Sequence, residues 1–396
     1  MDSKKNIIII GVIFLLIILF ADFLSQIFPL FKFIDELIPV ILGGLLLLKV
    51  FRKKFSKKNN KILYNTLIIS ICLIIVGTIG VLGNLIYDYQ SFSSIISDLI
   101  VVFKGFVTYV LATFLFTDDV FEENKVLINT IIRGITVAFF ILIIINSIYP
   151  IYAIEDQRFG ISSQKLMFSA PTYLATFGVC LVVLLSRFLG DYKGNFYYII
   201  MANVIIAATL RSKGLMFIAV YIFLFIYLII KKKKLSKKMI LAIGVLSLLV
   251  GGAQMFRYLS NPDWARSVLM INSFNVANDH FPLGSGFATF ATWESGESYS
   301  PVYEHYGIDT IWGIQPDNYS FIGDTYWPAI IGQFGYIGLI FVLIIIFKIY
   351  QNISLEKNRF KYFQRLNVLI YLLILSTSET SFMSPVGPIL CLLMVI

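Results

Sequence analysis

Setting aside the basic clusters of the chain leaves a small set of cations expected at the outer side or within the membrane: Lys32, Lys104, Arg158, Lys165, Arg211, Lys213, Arg257 and Arg266. Arg211-Ser-Lys213-Gly214 is the most informative group, a tight turn between the apolar runs Phe196–Leu210 and Leu215–Ile230. Two positive charges at a membrane edge are costly without a partner anion. A guanidinium stays charged at physiological pH and forms paired hydrogen bonds to phosphate oxygens. Arg211 and Lys213 are therefore expected to line a cavity for phosphate; the competing reading is that they snorkel to lipid headgroups. Arg266 follows Trp264 and precedes Phe281-Pro-Leu-Gly-Ser-Gly-Phe-Ala-Thr-Phe290, where Gly284 and Gly286 allow a tight turn or the close approach of a ligand. Without a strand-to-helix context the Gly-x-Gly pair is no nucleotide fingerprint. Arg158, in Glu155-Asp-Gln-Arg-Phe-Gly160, reads either as a further anion ligand or as the partner of Glu155 or Asp156. Lys104 either faces a cavity or pairs with Asp98, and Asp35-Glu36 is expected to be an interfacial turn.

These residues must be positioned by membrane-spanning helices. Of 396 residues 58% are hydrophobic and only 14% charged, little more than half the charged share of a soluble domain. That excludes a water-soluble, disordered or fibrous protein. At roughly 20 apolar residues per span, the chain has room for about a dozen. The apolar runs fall at 6–26, 34–51, 62–83, 95–116, 127–149, 169–187, 196–210, 214–230, 239–256, 328–349, 367–382 and 385–396. The first follows Lys4 and Lys5 without a small-residue cleavage site and reads as an uncleaved span. The last is short, with Pro385 and Pro388 as breakers, and is expected to be half a span. Cys72, Cys180 and Cys391 all lie inside apolar runs and read as small buried hydrophobes, not as a metal site or disulfide framework.

Lys and Arg recur in every second loop: six in Arg52–Lys61, six in Lys231–Lys238 and four in Lys357–Arg365, with Arg187 and Lys193 in the same phase. Basic loops stay cytoplasmic, so both termini are expected inside. The acidic loop with Asp118, Asp119, Glu122 and Glu123 adds little to this bias. Basic runs between spans give no support to nucleic-acid binding. The expected organisation is a transmembrane bundle over 1–256, a large extracytoplasmic loop over 257–327 and C-terminal helices over 328–396. The loop holds all four tryptophans, both histidines (His280 and His305) and eight acidic residues against two arginines. A loop of this length, rich in aromatics and without an obvious helix or strand pattern, is where function is expected. Trp293, Tyr299, Tyr303, Tyr306 and Trp312 read as sugar-stacking rings, as an interfacial belt or as the loop's own core, and Trp327 as a belt residue.

Three stretches resemble the bacterial O-antigen and capsular polysaccharide polymerases, which are related to the O-antigen ligases. They are Thr209-Leu-Arg-Ser-Lys-Gly214; Trp264-Ala-Arg266 with Phe281-Pro-Leu-Gly-Ser-Gly286; and Tyr299-Ser-Pro-Val-Tyr303, Tyr306-Gly307 and Phe321-Ile-Gly-Asp-Thr-Tyr-Trp-Pro328 running into Gly332-Gln-Phe-Gly-Tyr-Ile-Gly338. The resemblance implies an all-α polytopic membrane protein of the all-helical (GT-C type) glycosyltransferase architecture. It implies transfer of a growing glycan from undecaprenyl diphosphate to the non-reducing end of a lipid-linked repeat unit, at the outer face of the bacterial plasma membrane. A flippase and a chain-length regulator are the implied protein partners. Where family ligases carry a histidine, this chain has Asp324, eleven positions before Gly335.

Such a transfer needs a stabilised diphosphate leaving group and an acceptor for the hydroxyl proton. No metal cluster is evident in the outer segments and no cofactor is expected; Arg211 and Arg266, with Arg158 and Lys213, are expected to bind the diphosphate instead. A preorganised donor of this kind contributes about 3 kcal/mol in the transition state. The candidate bases are, in order, Asp324, His305 and Glu304. Direct displacement predicts inversion, whereas a glycosidase would pair two carboxyl groups. A glycan ligase is the nearest alternative and a lipid-linked oligosaccharide flippase the next, although no internal repeat points to a transporter.

Overall fold

The computed structural model describes residues 16–51, 59–116, 122, 124–154, 156–158, 160–232 and 264–396. Most of the expected first span, the expected span 239–256, Arg257, Glu155, Asp118, Asp119, Glu123 and most of the basic clusters near 52 and 233 lie outside the described residues.

Among the described residues the chain is helical, and its one sheet is a hairpin of β1 (Gln157–Arg158) and β2 (Ile161–Ser162). The helices are α1 (Ala21–Ile27), α2 (Ile34–Phe51), α3 (Asn60–Tyr87), α4 (Phe92–Leu115), α5 (Lys125–Ile148), α6 (Pro171–Arg187), α7 (Asn195–Ala208), α8 (Ser212–Leu224), α9 (Ala265–Asp279), α10 (Trp293–Glu297), α11 (Pro301–His305), α12 (Tyr326–Ser354), α13 (Arg359–Leu375) and α14 (Val386–Leu393). A π-helical turn carries α8 on to Ile230. Among the described residues five helices are long and apolar enough to cross a membrane: α3, α4, α5, α8 with its π-helical end, and α12. The other apolar runs that lie within the described residues form shorter or more polar helices. The last, α14, has eight residues and is about 12 Å long, so it does not span.

Local signals set several helix starts. The Asn59, Ser91 and Asn358 side chains each accept a backbone N–H at the N-terminus of α3, α4 and α13, the usual use of these residue types. Helix α6 is buried on almost every face from Leu174 to Arg187. An all-round apolar helix is one that other helices surround, and α7 and α13 both pack on it. Around this centre α12 packs on α3 and α9, while α2 and α14 pack on α4. The described part of the expected loop, residues 264–327, holds more regular structure than its sequence suggests, because α9 runs from Ala265 to Asp279. Its apolar residues ring the helix, with Val268, Leu269 and Val276 inward and Ile271 and Phe274 exposed, so no single stripe betrays it.

Residues 284–292 run without regular structure, yet they are buried between α3, α4 and α12. Backbone groups at such a depth need protein partners. Asn84 of α3 supplies two: its Oδ1 accepts the Phe287 N–H at 2.7 Å, and its Nδ2 donates to the Phe287 carbonyl at 2.9 Å. Asp98 of α4 accepts the Ala288 N–H at 2.7 Å, and the Gln333 amide donates to the Phe290 carbonyl at 3.1 Å. Helix α12 supplies two more by breaking at Gly335, whose φ of 59° and ψ of −167° lie in a region essentially reserved for glycine. The break leaves the Gly332 and Gln333 carbonyls to accept the Ser285 and Gly286 amides at 3.0 and 2.9 Å.

A Cβ at Gly335 would sit 2.9 Å from the Gly284 nitrogen and 3.0 Å from the Pro282 oxygen. Gly335→Ala is therefore expected to cost about 2 kcal/mol or more. In detergent its unfolding temperature should fall well below that of the parent, and an unchanged melting curve would contradict this account of the break.

Candidate functional site

Arg266 and Asp324 of the 264–327 segment meet charged residues of the bundle in a cavity of about 570 Å³. Glu36 of α2 and Lys104 of α4 form one side, Arg266 of α9 with Trp293 and Asp324 another, and Glu379 to Val386 a third; Tyr173 and Thr176 of α6 close it. A smaller chamber of about 200 Å³, lined by Ile18, Phe177, Cys180 and Ile389 among others, shares Tyr173, Thr176, Pro385 and Val386 with it.

Each charged side chain is placed by a local device. Arg266 lies in the first turn of α9 and donates to Asp324 Oδ2 at 2.7 Å. Asp324 ends a 3-10 turn, Ile322–Asp324, in which Gly323 abuts the backbone of Trp293: a Cβ there would lie 3.2 Å from the Trp293 nitrogen. Trp293 opens α10, braced by an edge-on contact with Tyr319 and 53% exposed. Glu379 follows the end of α13 and pairs with Lys213 in the first turn of α8. The next turn, Ser381–Met383, is clamped by Phe382, buried and stacked on Phe106 of α4 at 4.6 Å.

Lys104 is buried, and its partners are Asp35 and, at 3.5 Å, Glu36, rather than Asp98. Asp98 is committed to the Ala288 amide. Asp35 and Glu36 are correspondingly not an exposed interfacial turn: they begin α2, and Asp35 is buried against Lys104. Among the described residues no group of three or more His, Cys, Asp or Glu side chains is arranged to hold a metal ion.

The remaining expected site residues lie elsewhere. Arg158 and Arg211 converge on Asp156, at 2.9 and 3.7 Å, beside the β1–β2 hairpin. Burial would raise the Asp156 carboxyl, but hydrogen bonds from Arg158 and Ser163 and the charges of Arg211 and Arg158 hold it below its ordinary value. Glu304 and His305 are exposed on α11 and do not line the cavity. Trp312 is also exposed and off the cavity, edge-on to Phe321. Trp327 is partly buried and packs edge-on against Tyr326. The three tyrosines build the loop's own core. Tyr303 is fully buried, accepting the Ala291 N–H at 2.8 Å and bonded to Ser295 Oγ at 2.6 Å. Tyr299 donates to the Ile314 carbonyl at 2.7 Å, and burial pushes its hydroxyl up to about 12. Tyr306 donates to Asp279 at 2.7 Å.

Sequence reading passed over Glu379, although Ser376-Thr-Ser-Glu-Thr380 interrupts an apolar run and an acid in such a place is a functional signal in its own right. Thr172, Tyr173 and Thr176, also at the cavity, carry no comparable mark. No protein-family model matches the chain, and no curated protein matches it.

His280 anchors the C-terminal end of α9. Its Nδ1 donates to the Val276 carbonyl at 2.8 Å, its Nε2 accepts from the Tyr89 hydroxyl at 3.1 Å, and its ring lies edge-on to Tyr87. Burial holds its pKa below the ordinary value despite that carbonyl bond, so the unfolded chain binds the proton more readily than the folded one. Stability should therefore decline as pH falls below about 6.5, and the decline should be shallower in His280→Asn, as followed by thermal unfolding from neutral pH downward.

Lys104→Met strands a buried carboxylate and should cost about 3 kcal/mol or more. Lys104→Met combined with Asp35→Asn should recover much of that loss. A double variant as unstable as the single one would show that the charge pairing is not what the lysine contributes.

Proposed function

We propose that this chain is a membrane glycosyltransferase that polymerises polysaccharide at the outer face of a bacterial plasma membrane. The growing glycan leaves undecaprenyl diphosphate and is joined to the non-reducing end of a lipid-linked repeat unit of O-antigen, capsule or exopolysaccharide. The observation that carries this reading is the 570 Å³ cavity. It gathers an arginine, carboxylates and an exposed tryptophan among apolar helices, where a substrate with a lipid tail and a charged, glycan-bearing head has both halves accommodated.

In this reading Arg266 holds diphosphate oxygens, since a guanidinium matches them bidentately, and stabilises the charge that develops as the anomeric C–O bond breaks. Asp324 takes the proton of the acceptor hydroxyl, whose oxygen attacks the anomeric carbon from the opposite face and inverts it. Trp293 stacks on a sugar face. Arg211 and Arg158, shared by Asp156, form a separate outer group, and Lys213 stands between that group and the cavity. Glu304 and His305 are too far out on α11 to serve as the base, which leaves Asp324 first.

Arg266→Ala and Asp324→Asn should each lower chain extension by about 100-fold or more with folded protein retained, assayed on purified lipid-linked repeat units. Full activity in both variants would remove these residues from the site. Deleting the gene in its host and sizing the glycans left on the lipid carrier tests the reaction itself. Single repeat units accumulating outside mean a polymerase. Long chains stranded on lipid mean a ligase, and units trapped on the cytoplasmic face mean a flippase.

A further inference from the structure

Among the described residues, each cation at the cavity already faces a carboxylate. Lys104 faces Asp35 and Glu36, Lys213 faces Glu379, and Arg266 faces Asp324 at 2.7 Å. An incoming dianion thus meets positive charges that are neutralised and negative charges that repel it. It can be held strongly only by taking the place of a carboxylate. The three pairs differ in how readily they would yield. Lys104 and Asp35 are 4% and 2% exposed, and separating them would strand charges in a dry interior. Arg266 and Asp324 are 31% and 36% exposed, and Lys213 and Glu379 are 16% and 25% exposed. Both pairs are more open than Lys104–Asp35, so separating them costs less desolvation. They are also neighbours, for Lys213 lies within electrostatic reach of both Arg266 and Asp324.

We propose that the lipid diphosphate binds by carboxylate exchange: its oxygens take over Arg266 and Lys213, and the displaced Asp324 and Glu379 turn into the cavity as proton acceptors. This rests on the reading of the substrate as a diphosphate, and it adds Lys213 and Glu379 to the residues that handle it. The exchange also fixes an order of events. While paired with Arg266, Asp324 has its Oδ2 occupied by the guanidinium at 2.7 Å; once displaced, that oxygen is open to the acceptor hydroxyl. The base is therefore switched on by the donor. Asp324 then takes the acceptor hydroxyl proton, the acceptor oxygen bonds to the anomeric carbon as the bond to the diphosphate oxygen breaks, and the lipid diphosphate leaves from Arg266 and Lys213. Asp324 passes its proton to water and re-pairs.

The test uses the full-length protein in detergent at low ionic strength with a chelator present, and inorganic pyrophosphate as the probe in equilibrium dialysis. Asp324→Asn and Glu379→Gln, which remove a competing anion, should bind pyrophosphate about fivefold tighter than the parent, while both lose chain extension. Arg266→Ala should bind more weakly, and Asp324→Asn should add nothing in that background. Equal or weaker binding by Asp324→Asn overturns the exchange, as does a gain that persists without Arg266. So does an absence of pyrophosphate binding in every variant. Chain extension by the parent protein is scored separately: if it occurs while Asp324→Asn fails to tighten binding, the exchange falls and the polymerase stands. If the parent extends no chains yet Asp324→Asn binds tighter, the polymerase reading falls and the exchange stands. Elution as a single folded species qualifies each variant for comparison.

Discussion

An irregular backbone buried among apolar helices has to find every hydrogen bond inside the protein, and this constraint governs the architecture around residues 284–292. Water is not there to help. The solution combines three polar side chains, Asn84, Asp98 and Gln333, with a break in α12 at Gly335 that frees two carbonyls. The segment so anchored leads directly into Thr292 and Trp293, and the contact of Gly323 with the Trp293 backbone fixes the turn that carries Asp324. The charged part of the cavity thus inherits its placement from a hydrogen-bonding requirement met one turn away.

Pairing dominates the electrostatics of the cavity. The cations are distributed by depth, with Lys104 buried beneath and Arg266 and Lys213 partly exposed. Depth decides what each can do. A buried pair is expensive to break and acts as framework, whereas partly exposed pairs can re-partner. Asp156, flanked by Arg158 and Arg211, repeats the partly exposed arrangement at the hairpin.

Much of the framework was legible in the sequence because length and apolarity alone announce a membrane helix. The runs between 34 and 230 and the run 328–349 coincide with helices to within several residues, whereas the run 367–382 is displaced from α13, which lies at Arg359–Leu375. How many cross was less legible, since α6, α7 and α14 are as apolar as the others but shorter. Helix α9 escaped notice because its apolar residues circle it. At the site, Arg266, Asp324 and Trp293 stood out by type and neighbourhood. The pairings of the other charges did not: Lys213 and Glu379 are 166 residues apart, Lys104 and Asp35 69, and no local pattern encodes a contact at that range. The tyrosines of 299–306 had three equally good readings from composition, and only packing distinguishes the loop core from a binding surface.

The wall between the large cavity and the 200 Å³ chamber behind it is one side chain thick, made by Tyr173, Thr176, Pro385 and Val386. Thr176 is tied to the Tyr371 hydroxyl at 2.9 Å, and the other two belong to the backbone of the turn into α14. Tyr173 carries the largest side chain of the four. Its ring sets how far the polar room extends toward Cys180, so the capacity of the interior depends on the size of the side chain there.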